Sequence, residues 1–199
     1  MNDVSIFIGG VGGQGLVLMT KILSEAVAEI GFDVKTNDVV GLSQRGGKIW
    51  GTVKFGKKIY SPNILPSNAD YLIGLEPLEA YRWINHLNPD GICIINNSKI
   101  YPSMVAMEKF EYPTNIEEVF SEKYTLISLD ATAQAVSLGN SKVSNAVILG
   151  LLCKSLDEKY GHLIKPVTFY DALKSSLIEN APKKAVELNI KAFEYGYIN

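Results

Sequence analysis

The sequence predicts an α/β protein with a three-layer, Rossmann-like architecture: a mostly parallel sheet that includes an antiparallel hairpin, with helices at the C-terminal end. Three observations favour this fold class. Residues 4–8 form a short apolar run typical of a buried strand, and a glycine cluster at residues 9–15 ends it. From Leu16 to Ile30 the apolar residues then recur at three- and four-residue spacing, as in an amphipathic helix. Farther along, apolar runs of strand length are interspersed with helical patterns, which is typical of a parallel sheet covered by helices.

The glycine cluster, which we call the glycine loop (residues 9–15), lies at a strand-to-helix turn. Gly10, Gly12 and Gly15 have the G-x-G-x-x-G spacing of dinucleotide-binding loops. Unpaired N–H groups at the start of the helix, together with the positive end of its dipole, attract an anion. Gly13 frees more backbone, and Gln14 places an amide where it could reach a ligand or a neighbouring chain. The loop is therefore a candidate ligand site, and the alternative is a tight turn that serves packing alone.

A second polar segment joins hydroxyl, amide and guanidinium groups to flexible glycines. Its members are Ser43, Gln44, Arg45, Gly46 and Gly47. A guanidinium donates two parallel hydrogen bonds to a phosphate or carboxylate, so this second loop is typical of a binding loop. The alternative is an exposed arginine at the entry to a hairpin, which we predict from strands at residues 49–55 and 58–60.

Three single residues have both a binding and a structural interpretation. Glu76 follows a buried strand, at the sheet edge where α/β proteins bind ligands, but it also stands where a carboxylate caps a helix. Asn145 precedes an apolar helical run, as an N-cap or as a ligand donor. Asp38 stands about twenty residues past the glycines, where a Rossmann protein places the acidic residue for a ribose, and a turn carboxylate is its alternative.

The bulk composition excludes some partners and favours others. The 199 residues carry a formal net charge of −2, so neither nucleic acid nor an anionic membrane is favoured. A hydrophobic content of 47% fits one globular domain over residues 1–199 that buries some surface against partner subunits. No leader pattern and no long unbroken apolar run is present, so we expect a soluble, cytoplasmic protein.

Metal-binding residues are scarce. The chain has two cysteines and two histidines, whereas an iron–sulfur cluster takes four ligands. Cys93 and Cys153 both lie in apolar runs, and neither His86 nor His162 stands at a metal-binding spacing with them. We therefore expect no metal site in this chain, and any redox centre would belong to another chain.

Several motifs together resemble one family, the gamma-type subunits of 2-oxoacid:ferredoxin oxidoreductases. The similarity is greatest to the indolepyruvate ferredoxin oxidoreductase type. The motifs are Gly-x-Gly-Gly-Gln-Gly at 10–15, Ser-Gln-Arg-Gly-Gly at 43–47 and Glu-Pro-Leu-Glu-Ala at 76–80. Residues 60–62, 145–150 and 189–196 extend the similarity over nearly the whole chain.

The resemblance implies a complex that oxidatively decarboxylates a 2-oxoacid, forms an acyl-CoA and passes electrons to ferredoxin. In such complexes a larger catalytic subunit holds thiamine diphosphate with magnesium and the iron–sulfur clusters. This chain would then supply no catalytic residue and be inactive alone. Its two loops, with Glu76 and Asn145, would lie near the partner's active site or the phosphates of coenzyme A. The alternative is a free-standing Rossmann-type oxidoreductase that binds NAD(P) or FAD.

Overall fold

The computed structural model describes residues 3–39, 47–101, 111–164 and 166–199. In these residues the strands are β1 (Val4–Val11), β2 (Asp33–Val39), β3 (Lys48–Gly56), β4 (Ala69–Gly74), β5 (Leu87–Asn96) and β6 (Thr125–Leu129). The α-helices are α1 (Leu16–Glu29), α2 (Pro77–Trp83), α3 (Ile116–Ser121), α4 (Ala131–Ser137), α5 (Ser144–Tyr160), α6 (Phe169–Asn180) and α7 (Val186–Ile198). None of these helices is both long and apolar enough to cross a membrane.

The six strands form one mixed sheet in the order β2-β3-β1-β4-β5-β6. Strands β1, β4, β5 and β6 run parallel to one another, whereas β3 is antiparallel to both β1 and β2. The predicted α/β class with a mostly parallel sheet and antiparallel pairing is confirmed. The three parallel pairings bring the carboxyl ends of four strands to one edge of the sheet, and the glycine loop lies at that edge.

The predicted hairpin is wrong in its second strand. Residues 57–60 form no strand, and β3 pairs with β1 and β2 instead of turning back on itself. The Asp33 carboxylate accepts a hydrogen bond from the Ile59 N–H at 2.8 Å, and Thr52 Oγ1 donates to the Pro62 carbonyl at 2.9 Å. These contacts hold residues 57–62 against the sheet without a strand pairing.

Helices cover both faces of the sheet and enclose two apolar cores. Alternate residues of β1 point to opposite faces. Ile6 and Ile8 belong to the larger core, with α1 and α4 to α7, whereas Phe7 belongs to the smaller core, with α2 and α3. The three-layer arrangement thus follows from a central strand that is apolar on both faces.

Helix α5 passes through the larger core and crosses the C-terminal helix α7 at two glycines. A Cβ atom on Gly150 would overlap the Phe193 carbonyl oxygen, and one on Gly196 would overlap the Val147 carbonyl oxygen. The backbones of the two helices therefore touch. This close crossing fixes α5, whose first turn carries Asn145.

Candidate functional site

The glycine loop leaves β1 and enters α1 through two backbone conformations that favour glycine. Gly13 has φ of 101°, and Gly15, the N-cap of α1, has φ of 78° and ψ of 25°. L-residues with a Cβ pay a steric cost in this left-handed region. The two glycines therefore turn the chain sharply from the strand into the helix.

The Gln14 side chain points back into the protein and holds the loop closed. Its Oε1 atom accepts a hydrogen bond from the Val11 N–H at 2.7 Å, and its Nε2 atom donates to the Leu75 carbonyl at 2.8 Å. The Gln14 N–H donates to the Val11 carbonyl at 3.1 Å. Both ends of the amide are thus used within the protein.

Asn145, at the first turn of α5, reaches the same loop from a distant part of the sequence. Its Nδ2 atom donates to the Gln14 carbonyl at 2.7 Å. The same atom lies 3.1 Å from the position that a Cβ on Gly15 would take. The structure therefore brings Gln14, Gly15 and Asn145 together, and their predicted role in ligand binding stays a prediction.

Asn96 belongs to this site but was missed by the sequence analysis. It ends β5 and is 4% exposed. Its Nδ2 atom donates to the Leu75 carbonyl at 3.3 Å and to Thr132 Oγ1 at 3.0 Å, and its Oδ1 atom has no partner in the described part of the chain. An asparagine that directly ends an apolar run was the available signal, because its side chain lies at the carboxyl edge.

The first turn of α1 is open toward an anion. The hydrogen bond from the Met19 N–H to the Gly15 carbonyl is 3.1 Å long and is the first along the helix axis, so the N–H groups of the preceding residues are left without an intrahelical acceptor. Among the described residues no side chain caps this helix, and its first turn has no acidic residue. A Cβ on Gly13 would meet no atom of the described residues within 4 Å. The geometry suits a phosphate or carboxylate.

Only the end of the second loop lies in the described part of the chain. Ser43, Gln44, Arg45 and Gly46 fall outside it, so their predicted binding roles stay predictions. Gly47 is described, and its carbonyl accepts a hydrogen bond from the Gly12 N–H at 2.8 Å. The two loops therefore meet at this point of the sheet edge.

Glu76 is fully buried and its carboxylate binds three protein donors. Its Oε2 atom accepts from the Glu79 N–H at 3.0 Å and caps α2. Its Oε1 atom accepts from the Ile100 N–H at 3.3 Å and from the Tyr112 hydroxyl. Burial, together with this hydrogen bond to the carboxylate, raises the pKa of Tyr112. These contacts give Glu76 the capping role that was its alternative, and its ligand role stays a prediction.

Asp38 is not placed as a dinucleotide-binding carboxylate. It stands opposite Gly51 of β3, which in turn stands opposite Ile8 of β1, so two strand spacings of about 5 Å each separate Asp38 from β1. It accepts a hydrogen bond from Thr20 Oγ1 at 3.0 Å, and burial raises the pKa of its carboxyl group. In a Rossmann domain the acidic residue follows the strand next to β1, and here β3 occupies that place.

Comparison with known proteins supports the family resemblance over the full length. The profile of the family described as Pyruvate ferredoxin/flavodoxin oxidoreductase matches residues 5–198. The indolepyruvate oxidoreductase subunit IorB of Pyrococcus horikoshii is 32% identical over 202 residues, which cover 98% of this chain and 95% of that protein.

Two solved structures share the fold. The gamma subunit of the keto/oxoacid ferredoxin oxidoreductase of Geobacter sulfurreducens has a TM-score of 0.68 at 22% identity, with 98% of this chain and 96% of that chain covered. The 2-oxoglutarate:ferredoxin oxidoreductase of Magnetococcus marinus has a TM-score of 0.73 at 19% identity. In that protein the similar region is 31% of a longer chain, and all of the present chain is covered.

The three motifs that suggested a gamma-type subunit thus lie within one alignment that runs through nearly every residue, and the resemblance is confirmed. The chain belongs to the pyruvate ferredoxin/flavodoxin oxidoreductase family.

Proposed function

We propose that this chain is the small, gamma-type subunit of a 2-oxoacid:ferredoxin oxidoreductase that acts on indolepyruvate or a related arylpyruvate and forms its acyl-CoA. In this proposal residues 1–199 form a single domain, the complex works in the cytoplasm and the chain alone is inactive. The observation that carries the proposal is the alignment with an indolepyruvate oxidoreductase subunit over 98% of this chain and 95% of that protein.

The residues of this chain do not fit the redox cofactors of such a complex. Two cysteines cannot supply four thiolates, and both are buried with raised thiol pKa values because burial disfavours the thiolate. Within the described ranges no group of three or more histidine, cysteine, aspartate or glutamate side chains is arranged to hold a metal. A larger catalytic subunit therefore holds thiamine diphosphate, magnesium and the iron–sulfur clusters, and it passes electrons to ferredoxin.

The contribution of this chain is an anion site that faces coenzyme A. The uncapped first turn of α1, the open space at Gly13 and the lack of an acidic side chain in that turn favour a phosphate. Arg45 of the adjoining second loop adds a guanidinium that binds phosphate oxygens in pairs. The chain's groups bind and orient the coenzyme, and no proton or electron transfer is assigned to them.

Copurification tests the subunit assignment. The chain is coexpressed with a larger iron–sulfur subunit of the same organism, and a tag on this chain is used to recover the complex. We expect a stable complex that contains iron, sulfide and thiamine diphosphate. Recovery of the chain alone, or of cofactors bound to the chain in the absence of its partner, would contradict the assignment.

A matched pair of substitutions at Gly13 tests the anion site. Asparagine and aspartate have the same shape and tolerate left-handed backbone, so Gly13→Asn and Gly13→Asp differ in one negative charge. In the assembled complex we expect the aspartate variant to raise the KM for coenzyme A about tenfold over the asparagine variant, or about 1.4 kcal/mol, with kcat nearly unchanged. Equal KM values for the two variants would place the coenzyme elsewhere.

A further inference from the structure

We propose that Gln14 is a positioning residue, which shapes the glycine loop and closes the crevice between β1 and β4 with its side-chain amide. This inference rests on the proposed function, because it states how the anion site keeps its form. It also assigns Gln14 a role different from the ligand contact that the sequence analysis predicted. The ligand-facing groups are then the α1 backbone and Gly13.

The crevice in question is the place where an open α/β sheet usually binds its ligand. From β1 the chain moves to one side of the sheet, toward β2 and β3, and then returns on the other side of β1 to form β4. Ligands of such sheets bind outside the carboxyl ends of the strands at this change of direction. Here the Leu75 N–H donates to the Gly9 carbonyl at 2.9 Å, and the Gln14 amide donates to the Leu75 carbonyl.

Two further amides hold the acceptors of this arrangement in place. The Leu75 carbonyl accepts a second hydrogen bond from Asn96, which is itself fixed by Thr132. The Gln14 carbonyl accepts from Asn145. Gln14 is therefore held through its main chain by Asn145 of α5, and through its side chain by the Val11 N–H of β1 and the Leu75 carbonyl directly after β4.

The position of the Gln14 amide defines the direction from which an anion approaches the start of α1. The Gln14 amide lies between the Val11 N–H and the Leu75 carbonyl, and a Cβ on Gly10 would lie 3.1 Å from Gln14 Oε1. At Gly13, by contrast, a Cβ would meet no described atom within 4 Å. An anion thus reaches the start of α1 from the Gly13 side.

Gln14→Glu converts the donor of this arrangement into a pH-dependent group. A protonated glutamic acid still accepts from the Val11 N–H and donates to the Leu75 carbonyl. An ionised glutamate cannot donate, and its charge faces the lone pairs of that carbonyl. Because the charge is repelled by the Leu75 carbonyl, we expect the ionised side chain to swing out of the crevice and to release the Val11 N–H as well. The Val11 amide of the variant then has wild-type protection from hydrogen exchange at low pH and loses at least tenfold of it as the carboxyl group ionises. In the wild type, the protection of the Val11 amide, corrected for the intrinsic exchange rate, is expected to be the same at every pH.

Two control variants distinguish a positioning role of Gln14 from a nonspecific loss of stability. Gln14→Met has a similar length without the polar atoms and is expected to lose protection at every pH. Gln134→Glu adds the same charge on α4 and is expected to behave as wild type. A Gln14→Glu variant whose Val11 protection does not depend on pH, or a methionine variant with wild-type protection, would overturn the inference.

The same variant in the assembled complex distinguishes this inference from the proposed function. If both hold, the KM for coenzyme A of Gln14→Glu rises about tenfold as the carboxyl group ionises, while kcat changes little. If Val11 protection depends on pH and the coenzyme KM does not, the positioning role stands and the coenzyme assignment fails.

Discussion

Gly13 of the glycine loop leaves a space unfilled, whereas the glycines at the α5–α7 crossing let two helices fill one. A side chain at Gly13 would enter open space, but a methyl group at Gly150 or Gly196 would overlap a carbonyl of the opposing helix. Both regions carry the family resemblance. The comparison teaches that the same residue type marks a site in one region and a packing constraint in the other.

The two regions are also mechanically joined. The crossing fixes α5, and the first turn of α5 carries Asn145, which binds the Gln14 carbonyl of the glycine loop. A change at the crossing is therefore expected to affect overall stability first and the loop second. A change within the loop is expected to lower overall stability less.

The largest effect is expected for Gly150→Ala. The new methyl group would overlap the Phe193 carbonyl oxygen, and a helix backbone cannot yield as a side chain can. We expect a loss of about 3 kcal/mol or more in the free energy of unfolding, measured with urea on the full chain. Gly161→Ala is the control, because Gly161 has φ of −56° and its added Cβ would lie 3.5 Å from the nearest described atom. Equal unfolding midpoints for the two variants would remove the distinction between the regions.

A smaller effect is expected for Gly15→Ala. The left-handed backbone costs about 1–2 kcal/mol for alanine, and the methyl group presses on Asn145. Gly31→Ala shares the left-handed backbone, with φ of 101°, but its methyl group would meet no described atom within 4 Å. The difference between the two free energies of unfolding measures the contact with Asn145, and it is expected to disappear in an Asn145→Ala background. A difference that persists there would show that the contact is unimportant.

The smallest effect concerns Asp157, which joins α5 to its neighbours. Its carboxylate accepts hydrogen bonds from the Phe169 N–H at 3.2 Å and from the Tyr197 hydroxyl at 3.2 Å, and burial raises its pKa above the ordinary value of 3.8. The unfolded chain therefore loses this proton at lower pH than the folded chain. As the pH rises above about 4, the wild type is expected to lose stability relative to Asp157→Asn, by under about 1 kcal/mol because the group is only half-buried. Chemical unfolding of both proteins at several pH values measures this difference in stability. A wild type that gains stability relative to Asp157→Asn as the pH rises would contradict the prediction.

The sequence predicted the parts of the site that depend on neighbouring residues. An apolar run, a glycine cluster and a helical period are local patterns, so β1, the glycine loop and α1 were all predictable. The chemistry of Gln14 was not, because the direction of its amide depends on the Leu75 carbonyl, 61 residues away in the chain. Asn96 was missed for the same reason.

Strand pairing was the other feature that local pattern could not settle. The run at residues 49–55 was correctly predicted as a strand, and antiparallel pairing was correctly expected. Its partners are β1 and β2, and residues 57–62 are instead held by the Asp33 carboxylate and the Thr52 hydroxyl. The insertion of β3 between β1 and β2 is what moves Asp38 away from the glycine loop.

The most direct test of the account is an assay of ferredoxin reduction by indolepyruvate and coenzyme A, with this chain and its larger partner purified separately. The account predicts no turnover by this chain alone, and turnover that appears on mixing and saturates at a fixed ratio of the two subunits. Sustained turnover by this chain without a partner would contradict the claim that it shapes a site whose cofactors another subunit holds.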